Sequence, residues 1–122
     1  QERECRRFVV RMNERLTELD RLVAEGTSTS QAASAKMRRI GDRYAELARE
    51  VESARFAEPE MRRLRDEYRT MLLEVSRLAV HTSLALERND VAEAARAQAA
   101  FSEVVTREDA LVAKINERCR AK

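Results

Sequence analysis

Turn formers are nearly missing from this chain. Its 122 residues include two Gly and one Pro, and aromatic residues make up 4% with no Trp. A β-sandwich or barrel needs turn residues roughly every ten positions, so both are excluded as fold classes. No apolar run approaches the ~20 residues that a membrane-spanning helix requires, and no signal peptide is present. The chain begins at Gln1 rather than Met. The expectation is that something upstream was removed; a leader or an anchor could have stood there, and an anchor would tether the domain to a membrane.

Chemistry-bearing motifs are equally scarce. One His and two Cys supply too few soft ligands for a zinc site. The four-helix di-iron pattern needs Glu-x-x-His on two helices, but Leu78 stands three residues before His81. No Cys-x-x-Cys-His haem attachment, glycine-rich phosphate loop, Gly-x-Ser-x-Gly elbow or pair of carboxylates at fixed spacing occurs. The expectation is no enzyme, no cofactor, no metal, and a surface or boundary position for His81.

Charge of one sign is nowhere concentrated. Charged residues make up 38% of the chain, with 24 basic against 22 acidic groups. The two signs interleave at helical spacing in Glu2/Arg6, Arg21/Glu25, Arg62/Asp66, Arg63/Glu67 and Glu103/Arg107, pairs worth roughly 0.2–0.5 kcal/mol each. Nucleic-acid binders gather Lys and Arg on one face, so no nucleic-acid partner is expected. Tyr44, Tyr68 and the three Phe lie on or near apolar stripes and read as core rather than as base-stacking platforms. Lys occurs only at 36, 114 and 122. With abundant Ala, that Arg preference fits a GC-rich coding genome and a bacterial source.

What remains is four apolar stripes at alternating steps of three and four. They run Cys5-Val9-Met12-Leu16-Leu19-Val23, Ala33-Met37-Ile40-Tyr44-Leu47-Val51-Ala54, Met61-Leu64-Tyr68-Met71-Val75-Leu78, and Val91-Ala94 with Phe101-Val105 through Val112-Ile115-Cys119. This heptad-like seam belongs to helices packed at shallow angles. Four helices are expected, over roughly 2–25, 30–56, 59–87 and 90–120. Gly26 and the Thr27–Ser30 run break the first pair, with Ser28 or Ser30 as N-cap. Pro59 opens the third helix, and Asn89-Asp90 separates the last two. Connections this short give a single all-α domain over 1–122, an antiparallel up-down-up-down four-helix bundle rather than one long coiled coil.

The bundle brings distant residues to common levels. Cys5 and Cys119 fall at one end, both on apolar stripes, so a disulfide is expected. It implies an oxidising, extracytoplasmic (periplasmic or secreted) location, with a cytoplasmic one as the alternative if the thiols are free. Glu108 interrupts an apolar face between Val104-Val105 and Leu111-Val112. Tyr44, Tyr68 or Arg43 could supply its donor, and the site is either a register-fixing polar residue or a ligand contact. Gln98 and Thr82 share a level at the distal end, among Ala33, Ala79, Ala85, Ala94, Ala95 and Ala97. Small residues there imply either close helix approach or a cleft holding both polar groups. Ten Arg, among them Arg3, Arg6, Arg7, Arg55, Arg118 and Arg120, mark the end with the termini, diluted by Glu. Phe8, Leu22, Leu72, Leu86 and Leu111 flank the stripes and either widen a monomer's core or form a homo-oligomer seam.

The functional expectation is a non-enzymatic interaction or structural module with a protein partner. The alternative is an extracytoplasmic ligand-binding sensor domain of a receptor. No span of the membrane by this chain itself is expected.

Overall fold

A computed structural model describes residues 2–120, the side chain of Glu2 excepted. Four α-helices follow in order: α1 (Glu2–Ala24), α2 (Ser30–Ser53), α3 (Pro59–Glu87) and α4 (Val91–Arg120). Each packs on its chain neighbour and α1 closes the ring against α4. The result is an all-α antiparallel four-helix bundle. The α2–α3 face is the most extensive and α1 shares the least surface with its neighbours.

The helix ends are set by chemistry more local than hydrophobic period. Gly26 follows the end of α1 closely, as a helix stop should, but without a left-handed turn, since no glycine has a positive φ. Instead Lys36 Nζ, reaching from α2, donates to the Val23 and Glu25 carbonyls, each at 2.6 Å, and satisfies acceptors that a helix end leaves open. The α2 cap is Thr29, not Ser28 or Ser30. Its hydroxyl accepts from the Ala32 amide at 3.0 Å. That helix stops three residues short of the expected Phe56. Phe56 turns inward and meets the Phe8 ring edge-on, 5.2 Å between centroids. Arg62 and Arg65 hold the freed carbonyls of Phe56, Ala57 and Ala54. Pro59 opens α3, and Asn89 takes a left-handed φ of 57°. Asp90 Oδ1 then accepts from the Glu93 amide at 3.1 Å, capping α4 as its residue type favours.

The core runs the length of the seam, with Met12, Ile40, Leu47, Met61, Leu64, Tyr68, Leu72, Val75 and Ile115 fully buried. Val23 and Val91, counted on the stripes, are instead 44% and 79% exposed, because each lies at a helix end beyond the reach of its neighbours. Phe8, Leu72 and Leu111 are buried, and Leu22 and Leu86 pack partly on the core. All five widen the core of one chain.

Surface pairing differs from the expected i,i+4 pattern. Glu25 accepts from Arg39 of the next helix, Arg63 pairs with Glu60, and Asp66 with Arg65. Arg62 is drawn to loop carbonyls. Several pairs are i,i+3, among them Arg15–Glu18, Arg77–Glu74 and Arg96–Glu93. The Glu2/Arg6 pair lies outside the described residues. Across α1 and α2, Arg11 and Arg15 converge on Glu50 at 3.4 and 3.1 Å.

Candidate functional site

Glu108 is the least expected residue of the core. It sits on the α4 stripe Phe101-Val104-Glu108-Leu111-Ile115 and is 1% exposed. The Tyr68 hydroxyl of α3 donates to its Oε2 at 3.3 Å. Arg43, a candidate donor from sequence, is exposed and turned to Glu46 at 3.7 Å, so the tyrosine supplies the bond. Burial pushes the Glu108 carboxyl up to about 7, and the charges of Asp109 and Asp20 push the same way against the opposing Tyr68 hydrogen bond. Desolvation is the dominant cause. The Tyr68 hydroxyl is driven far upward by burial first and by Glu108 next. Tyr44, from α2, is raised by the same two causes in the same order. Its ring stands edge-on to Phe101 at 6.4 Å. The cluster is therefore one carboxyl poised near neutrality beside two phenols held neutral. A proton-transfer pair needs two groups with matched affinities, and phenols pushed this high do not match it.

Of the two readings of the distal end, close helix approach is the one the side chains adopt. Gln98 is exposed, while Ala97 occupies the seam. Thr82 is 3% exposed, and its hydroxyl donates to the Leu78 carbonyl of its own helix at 2.9 Å. Gln98 on the surface and Thr82 in the core therefore do not act together. Small residues instead serve close approach of α2 to α3. Ser34 Oγ donates to the Ser83 carbonyl at 2.9 Å, and Ser83 Oγ returns a bond to the Ser34 carbonyl at 2.8 Å. At Gly41 a Cβ would stand 2.8 Å from Val80 Cγ2 and 3.1 Å from the Ser76 carbonyl oxygen. Ser76 Oγ donates to the Gly41 carbonyl at 2.7 Å. Sequence reasoning missed these contacts, although a lone Gly in a helical stripe is a signal of close packing.

Surface depressions flank the bundle. A cleft of about 370 Å³ between α1 and α2 has Leu19, Leu22 and Leu47 as its apolar lining. Its rim is laced by Arg39–Glu25 and Arg15–Glu18. A groove of about 550 Å³ runs between α3 and α4 over Met71 and Val104. His81 is on the surface, 3.0 Å from Glu93. Arg96 first, and then His81, hold that carboxylate below its usual range.

At the pole carrying the chain ends, Cys5 and Cys119 are bonded, with 5.5 Å between Cα atoms and 114 residues between them in sequence. Among the described residues, no three His, Cys, Asp or Glu side chains gather as a metal ion requires, and no helix is long and apolar enough to cross a membrane. Comparison with protein-family models, curated proteins and solved structures finds no match to this chain.

Proposed function

We propose that this chain is an exported, non-enzymatic helical-bundle module that acts by holding a protein partner, either an unlike chain or a second copy. The Cys5–Cys119 pairing carries the reading. A bond closing so long a loop persists in oxidising compartments and is rare where thiols are kept reduced. The internal use of buried polar groups supports a scaffold rather than a reaction centre: Ser34 is spent on Ser83, Thr82 on its own helix, and Glu108 on Tyr68.

Intact mass with and without alkylation, on protein purified without reductant, is the test. Two blocked thiols are expected. Two thiols that alkylate freely under non-reducing denaturation would remove the exported reading and turn the search to cytoplasmic partners.

A second reading is the ligand-binding domain of an extracytoplasmic sensor. It is favoured by the α1–α2 cleft, where Leu19, Leu22 and Leu47 lie among seven charged side chains, and by the joining of α1 and α4 at one pole. A melting temperature that rises with one class of small amphiphile would select it.

A further inference from the structure

We propose that the disulfide-bearing pole docks on an anionic phospholipid surface. Several of the arginines there are not neutralised within the chain. Among the described residues, Arg3, Arg6, Arg7, Arg55 and Arg120 are exposed and have neither a hydrogen bond nor an ion pair. Arg62 spends its guanidinium on backbone carbonyls, which leaves its charge in place. The carboxylates of this pole are largely committed: Glu58 to Arg118, Glu60 to Arg63 and Glu52 to Arg69. Among the described side chains of this pole, Glu4 and Glu117 are the acids left over against six cations.

Their placement runs against helix electrostatics. The positive end of a helix dipole favours acids in the first turns, yet Arg3, Arg6 and Arg7 outnumber Glu4 among the described side chains of the first two turns of α1. Arg3, Arg6, Arg7 and Val10 fall on one outward face at steps of three and four. Val10 is 53% exposed among them. Guanidinium groups exposed at this pole suit a headgroup layer, which takes the cations at its phosphates. A second face of α1, that of Cys5, Phe8 and Met12, is buried in the core, so docking requires no unfolding. The loop residue Arg55 and the terminal Arg120 extend the charge across the same pole, as the Phe8–Phe56 ring contact and the Arg118–Glu58 bond establish.

The inference adds a partner to the exported-module reading, and the two fail separately. Free thiols remove the compartment but leave the docking surface. Blocked thiols without vesicle binding remove the docking surface alone. The experiment is flotation of the whole chain with vesicles of phosphatidylglycerol mixed into phosphatidylcholine, against pure phosphatidylcholine. Binding is expected to the anionic vesicles only, and to fall steeply as salt is raised above ~0.15 M, where the screening length is about 8 Å. The triple change Arg3→Glu, Arg6→Glu, Arg7→Glu places acids where the helix dipole favours them, so its melting temperature should not fall. Its vesicle binding should nonetheless drop at least ~10-fold, given the loss of several attractive charges near the surface. The pair Arg55→Glu, Arg120→Glu, which leaves α1 untouched, should lower binding in the same direction. Equal binding to neutral vesicles, or an undiminished triple variant, would overturn the proposal. So would retention on heparin that outlasts vesicle binding as salt rises, which would point to a polyanion instead.

Discussion

A carboxyl group inside an apolar core settles in whichever protonation state costs less to bury, and for Glu108 that choice falls near neutrality. Its folded affinity for a proton, raised to about 7, exceeds that of an exposed carboxylate. The folded state therefore binds the proton more tightly than the unfolded one. The resulting stabilisation is fully present below about pH 4.5 and is lost as pH rises through 7. The difference corresponds to about 3 kcal/mol between the two limits. Glu108→Gln keeps the shape of the protonated acid and cannot ionise. At pH 5 the variant should match the natural chain within ~1 kcal/mol. At pH 8 it should be the more stable of the two, as is common when an isolated buried charge is replaced by a neutral group. Urea midpoints at the two pH values are the measurement, and a variant that loses stability with pH as steeply as the natural chain would defeat the assignment. The position was legible in the sequence because flanking valines and leucines fixed its face. Its partner was less so: Tyr68, Tyr44 and Arg43 all lay at plausible levels, and spacing does not show that Arg43 leans away to Glu46. Gln98 illustrates the same limit. It stands four residues after Ala94 and three before Phe101, whereas Ala97 stands three after and four before. Both fit a helical stripe, and the smaller, apolar residue is the one inside.

Between elements, the tightest junction is made by the smallest side chains. Gly41 lets α3 approach until Ser76 and Val80 touch the α2 backbone, and the reciprocal Ser34–Ser83 bonds hold the distal part of the same face. Helix propensity alone favours Gly41→Ala by roughly 1 kcal/mol. Packing opposes it, because the new methyl would sit 2.8 Å from a β-branched side chain and 3.1 Å from a backbone oxygen. Neither neighbour yields easily, so overpacking costs of about 1–3 kcal/mol should win. Gly41→Ala is expected to lower the urea midpoint, while Gly26→Ala, with nothing within 4 Å of its added methyl, should leave it level or raise it. A Gly41→Ala variant at least as stable as the natural chain would show that α2 and α3 can slide apart without loss. Element number and order were legible because the stripes, Pro59 and Asn89 are strong local signals. The ends of α1 and α2 were not, since Lys36 caps α1 from another helix and Phe56 leaves α2 to reach Phe8. Both are tertiary contacts that overrule the local pattern.

At the scale of the whole molecule, α1 is the element whose attachment has most to lose. It shares the smallest faces with its neighbours and is held by Lys36 at one end, by Glu50 near its middle and by the Cys5–Cys119 bond at the other end. Level counting along antiparallel rods was enough to bring the two cysteines together. The weak packing of α1 was invisible, because its stripe is as regular as the others. In the chain-entropy account a loop of this length stabilises the folded state by about 4–5 kcal/mol. For a domain of this size that corresponds to a melting temperature lower by on the order of 15–20 °C once the bond is gone. Reductant should produce that fall, and the double change Cys5→Ser, Cys119→Ser should reproduce it without reductant. The loss should also be uneven. Amide exchange should accelerate first in the early turns of α1 and the last turns of α4, where Cys5, Phe8 and Ile115 rely on the bond to stay apposed. The α2–α3 face should keep its protection until global unfolding. If the serine variant melts with the natural chain, the pole is held by Phe8–Phe56 packing and the arginine-carbonyl bonds alone. If exchange instead quickens evenly through all four helices, α1 is not a separable element and the bundle opens as one unit.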